Sequence, residues 1–181
     1  AISLTTSFVY ANNETTLEDD IIPISDDLES SPVENNAEKP ISANEPTEDT
    51  YKSHDVYLTG DNVTVDYIVD GNLFVIANTV TINSKIGGDA FIMANNINVS
   101  EQAYIFNNFF AMANSIDIKG VVYDVYALAQ NFTISNGYIY RDAKISCNTL
   151  NINGAIGRNA FVNCSKINFN TDENNKGIIY G

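Results

Sequence analysis

The chain has 181 residues, with 23 Asp and Glu against 9 Lys and Arg, a single His and no Trp, for a formal net charge of −14. Its length allows one or two domains. An acid excess of this size excludes the clustered Lys and Arg that a nucleic-acid phosphate backbone requires, and it opposes docking on anionic lipid.

Residues 1–11, Ala1 to Ala11, are small and apolar and end in Val9-x-Ala11 before Asn12-Asn13. They read as the tail of a secretory signal peptide cleaved after Ala11, so the expected location is extracellular or at the cell surface. No run approaches the ~20 apolar residues of a membrane span. Direct insertion is therefore not expected of this chain, and any membrane anchor is expected in downstream sequence.

Residues 12–53 carry twelve acids against two bases (Lys39 and Lys52), which is −10 of the total charge, and all four prolines. No aromatic residue lies between Asn12 and Thr50. Such a stretch buries too little apolar surface to offset its ordering entropy, and it is expected to be a disordered acidic linker.

Residues 54–181 hold all ten glycines and a repeat. The unit Ile86-Gly-Gly-Asp-Ala-Phe-Ile-Met-Ala-Asn-Asn-Ile-Asn-Val99 recurs from Val69, Ile105, Val121, Ile139 and Ile156, after a half-unit Leu58–Val65. One small column runs Gly60, Ala77, Ala94, Ala113, Ala129, Cys147, Cys164, with spacings of 17, 17, 19, 16, 18 and 17. Three larger apolar columns keep step with it, starting at Leu58, Val63 and Val65. Within a unit the apolar residues alternate, which predicts strands with one face inward. The parity changes between Ala94 and Ile97, so a corner is expected at Asn95-Asn96, where Asn tolerates left-handed backbone. The corner column (Asp61, Asn78, Asn95, Asn114, Gln130, Asn148, Ser165) predicts a polar ladder. The expected fold is all-β: a single-stranded parallel β-helix of about seven rungs of 16–19 residues, right-handed by the crossover rule.

These repeats, with Gly71-Asn72-Leu73 and Gly88-Asp89-Ala90 returning every 17 or so residues, resemble the bactofilin-like, polymer-forming β-helix family of bacteria. The resemblance covers residues 54–181. It implies a short β-helix with disordered flanks that stacks end to end into nonpolar filaments, binds no nucleotide and scaffolds partners at the membrane. The chain departs from the cytosolic members in its export signal. It looks more like secreted or surface relatives that carry the repeat ahead of membrane-anchoring segments.

For catalysis the sequence offers little. His54 stands alone at the domain edge, whereas triads and zinc sites need convergent ligands. No phosphate-binding Gly-rich loop occurs, and neither metal nor cofactor is expected. The outward column Asn72, Asp89, Asn108, Asp124, Asp142, Asn159 interchanges Asn with Asp, which reads as turn capping through side chain to backbone bonds. The other reading is a cation shared by Asp124 and Asp142. Cys147 and Cys164, on adjacent rungs, are read either as small core residues or as a disulfide.

One feature exceeds the needs of folding. Phe74, Phe91, Phe110, Tyr126 and Phe161 lie between inward positions and should form an outward aromatic stripe, interrupted by Lys144. An exposed apolar stripe marks an interface. Ile178 and Ile179 begin a turn that the sequence does not complete, and an uncapped end invites strand addition. The expected function is therefore a non-catalytic, self-associating or surface-presenting rod, with another copy or another surface protein as partner. The alternative is a β-helix that binds or cleaves carbohydrate.

Overall fold

The computed structural model describes residues 50–170 and 177–181. The expected signal remnant and all but the last few residues of the linker lie outside them. The described residues are all-β. They contain β1 (Tyr51–Lys52), β2 (Val56–Val65), β3 (Ile68–Val69), β4 (Leu73–Ile82), β5 (Lys85–Ile86), β6 (Ala90–Val99) and β7 (Tyr104–Ile118). Then follow β8 (Val121–Ile134), β9 (Tyr138–Ile139), β10 (Ala143–Ile152), β11 (Ala155–Ile156), β12 (Ala160–Phe169) and β13 (Ile178–Ile179). All thirteen belong to one parallel sheet. The long strands stack as β2-β4-β6-β7-β8-β10-β12, and the short ones run beside them as β1-β3-β5, then β7-β8, then β9-β11-β13. The result is a solenoid of about seven turns. β1 lies just before the expected domain start at His54 and pairs Tyr51 with Ile68.

Register reproduces the columns of the sequence: Val75 pairs with Ile92, and Ile92 with Ala111. The core is the interior of the coil. Val65, Ile82, Val99, Ile118, Ile134 and Ile152 are all buried. Fully burying a side chain of this size contributes about 1.5–3 kcal/mol.

Volume is conserved within each rung by trading large against small. Ala90 is followed by Ile92 on the same inward face, Phe109 by Ala111, Val125 by Ala127, and Ala143 by Ile145, and all eight are buried. Where Val125 and Ala127 leave space, Phe132 fills it, replacing the Ile116 and Leu150 of neighbouring rungs. Close packing requires such compensation, since a void forfeits contacts on every wall.

The corner at Asn95-Asn96 differs from expectation. Two successive exposed residues mark the parity change, but β6 runs through it as one strand. Left-handed backbone is not used there: the one described non-glycine residue with positive φ is Asn136, at 61°. Backbone pairing skips the corner position on every rung. Side chains carry the ladder instead, with Asn95 Nδ2 donating to Asn78 Oδ1 at 2.6 Å and Asn114 Nδ2 to Asn95 Oδ1 at 3.0 Å.

A second corner is built on glycine. Gly137, Gly154 and Gly177 precede the short strands β9, β11 and β13, and Gly120 precedes the start of β8, at a position filled by Ser84 and Ala103 in earlier turns. At Gly154 a Cβ would stand 2.2 Å from the Gly137 carbonyl oxygen, so this rung lies too close to its neighbour for a side chain there.

The Asn/Asp column caps backbone as expected, though the bond reaches the next rung rather than its own turn. The amide of Asn72 donates to Asp55 Oδ1 (2.7 Å), that of Asp89 to Asn72 Oδ1 (2.8 Å), and that of Asn108 to Asp89 Oδ1 (3.0 Å). A Cβ on Gly88 would lie 2.5 Å from Asn72 Oδ1, which is why glycine precedes the ladder there.

Candidate functional site

In the outward direction, the alternation that buries Val75, Ile92, Ala111 and Ala127 exposes both neighbours of each. The aromatic residues before them form one ridge. Tyr57, Phe74, Phe91 and Phe110 stack face to face, with centroids 4.7, 4.9 and 4.8 Å apart and planes within 6°. Tyr126 continues the stack at 4.9 Å, tilted by 22°. Lys144 takes the next position, its Nζ 4.7 Å from the Tyr126 ring centroid, and none of the ion pairs among the described residues involves it. Phe161 follows on the last long strand and is 59% exposed. All five aromatic positions expected from the sequence therefore share one face, and Tyr57 extends it by a rung.

The residues two positions on make a second ridge that the sequence reading did not single out. Ile76, Met93, Met112 and Leu128 are each about half exposed or more. The two ridges enclose a trough of ≈ 980 Å³ floored by residues such as Ala111 and Ala127, and closed toward the C-terminal end by Lys144, Ser146 and Asn163.

Ring stacking limits the chemistry of this face. Each ring covers its neighbours, so the ladder turns edges toward solvent. A sugar packs its C–H groups against a ring face, and of the five rings from Tyr57 to Tyr126, Phe74, Phe91 and Phe110 have both faces stacked while Tyr57 and Tyr126 have one each. The trough instead suits apolar side chains laid along the rod.

Elsewhere, polar groups pair with one another. Asp124, a buried acid, accepts from the Asp142 amide at 3.0 Å and pairs with Arg141 of the next rung. Asp142 in turn pairs with Arg158 at 2.8 Å. Desolvation opposes its charge, but the Asn159 amides and Arg158 outweigh that and hold the Asp142 carboxyl below the usual range. Each carboxylate thus has its own arginine, supplied by the next rung. Asp124→Ala should cost about 2 kcal/mol, since it strips Arg141 and the Asp142 amide of their acceptor. Asp124→Asn should cost less, because Asn72 supplies the same amide acceptor two rungs from the N-terminal end. Chemical denaturation of both variants checks the order.

Cys147 and Cys164 are in register on β10 and β12 and are free thiols, not the bridge that was one of the expectations. In-register parallel strands hold side chains about 4.8 Å apart and pointing the same way, whereas a disulfide brings Cβ atoms to about 3.5–4.5 Å. Burial, then the neighbouring Cys164, pushes the Cys147 thiol up to about 11. The neutral thiol is therefore favoured by folding. That contribution is intact below the ordinary thiol pKa and fades as pH rises toward 11. At mildly alkaline pH the native thiolate should be roughly a hundredfold scarcer than in the unfolded chain. Alkylation should accelerate by a comparable factor on denaturation.

At the C-terminal end, Ile178 is half-buried and Ile179 is 38% exposed, both paired to β11. Ile167 and Phe169, which occupy core columns, are 49% and 48% exposed on β12. His54 is exposed. No helix among the described residues is long and apolar enough to cross a membrane. No family model, curated protein or solved structure matches the chain.

Proposed function

We propose that the solenoid is a structural rod of the bactofilin-like kind, exported to the bacterial cell surface, which works by self-association rather than by catalysis. The observation that carries this reading is the trough: a half-buried aromatic ridge and an exposed aliphatic one run side by side over the four rungs from Phe74 to Leu128. Folding alone does not call for them, because these residues point away from the core. Rigid stacking fixes the ridges in place, so contact with a partner costs little side-chain entropy.

The test is electron microscopy of the negatively stained full chain across protein and salt concentrations, beside the double variant Phe91→Ser, Phe110→Ser. Regular oligomers or filaments that the double variant forms poorly, while keeping its far-ultraviolet strand signature, are the expected result. Monodisperse single rods at every concentration would refute self-association.

A further inference from the structure

We propose that the trough is the seat of a second copy of this chain, packed face to face with the two rods antiparallel. The inference deepens the self-association reading and rests on it. The first argument is area. Taking about 200 Å² for each large side chain, the exposed fractions of Tyr57, Ile76, Met93, Met112 and Leu128 amount to roughly 570 Å² on one face, to which the half-buried rings of Phe74, Phe91, Phe110 and Tyr126 add. The largest apolar patch of an ordinary monomer is about 300–600 Å², and a stable interface takes about 800 Å² from each partner. One face of this rod, with its half-buried rings and rim included, therefore approaches one side of a dimer. An isologous pair lets the same patch serve both partners.

The direction follows from charge. Residues 50–70, at the N-terminal end of the rod, carry Lys52 against Asp55, Asp61, Asp66 and Asp70. From Arg141 on, the described residues carry four bases against one acid, Asp142, and Lys144 and Lys166 are outside the ion pairs among them. Parallel rods would set acidic end beside acidic end. Antiparallel rods set each acidic end beside a basic one, and Lys144 at the mouth of one trough approaches the rung of Tyr57 and Asp61 in the other.

The stretch in which both ridges are apolar runs from Ile76 to Leu128, so its centre falls between the rungs of Met93 and Met112. A two-fold axis there sets Met93 against Met112 and Ile76 against Leu128 of the other copy. Methionine at the centre adapts its shape to such a contact.

Cross-linking in the full chain, with Cys147→Ala and Cys164→Ala removing the native thiols, tests this. Alanine occupies that column on earlier rungs, so the background should fold. An equimolar mixture of Ile76→Cys and Leu128→Cys should oxidise to a covalent dimer containing one of each, while either variant alone stays unlinked, since three rungs separate like positions. Ready dimerisation of Ile76→Cys alone would mean parallel rods and overturn the proposal. Failure of the mixture to link while sedimentation still shows association would overturn it too, leaving the rod ends as the contact and the self-association reading intact. Absence of any association would defeat both.

Discussion

Phe109→Ala should lower the stability of the rod by about 3–5 kcal/mol, among the largest losses available to one substitution here. Phe109 is fully buried, with Ala90 and Val125 as its register neighbours. Neither neighbour is large enough to fill the vacated space. The trade of volume within a rung makes a sharper expectation. Since Ala90 is accompanied by Ile92 one rung below, the double variant Phe109→Ala, Ala111→Ile recreates that arrangement on the rung of β7. It should recover a large part of the loss. Urea unfolding of the three proteins decides the matter, and a double variant no better than Phe109→Ala would show that rungs do not compensate independently.

Gly154→Ala should be about as damaging by the opposite route. Its Cβ would meet the Gly137 oxygen at 2.2 Å and Ile134 Cγ2 at 2.7 Å, and the first of these is backbone bonded into the ladder. Overpacking of this kind costs about 1–3 kcal/mol, and more when the obstacle cannot turn aside. Gly60→Ala is the control. The atom nearest its Cβ is Val63 Cγ2, at an ordinary 3.4 Å, and alanine already fills the column in the next rungs. That substitution should be neutral or stabilise by about 0.4–1 kcal/mol through the unfolded chain. Thermal unfolding of the pair should move in opposite directions.

The fold was legible because a solenoid writes its core in columns. Ile82, Val99 and Ile118 return at spacings that no helix explains, and alternation alone assigns their direction. The aromatic stripe was legible for the same reason. Its companion ridge was open to the same argument, since Ile76 and Met93 share the outward parity of Phe74 and Phe91, but a mixed aliphatic column attracts less notice than a run of rings. Tyr57 was missed because the first repeat is only partial, and the alignment began at Leu58. The glycine corner at Gly120, Gly137 and Gly154 keeps an even spacing of 17, but Ser84 and Ala103 hold the same position on earlier rungs, so no glycine column runs the length of the repeat. The left-handed corner at Asn95 was a local rule overridden by strand continuity, with the side-chain amides of Asn78, Asn95 and Asn114 bonding one another from rung to rung. The Asn/Asp column illustrates another limit. Composition identified side chain to backbone bonding, yet whether an oxygen bonds its own turn or the next rung is settled by the stacking distance, which sequence does not contain.

The most direct measurement is sedimentation equilibrium of the full chain over a concentration series, with Met93→Glu alongside. Wild-type mass rising above the monomer's 19.8 kDa, and held near it by a charge placed in the centre of the trough, is the expected result. A wild-type protein that remains at 19.8 kDa at the highest concentration, or a Met93→Glu variant that associates just as well, would contradict an assembly face in the trough.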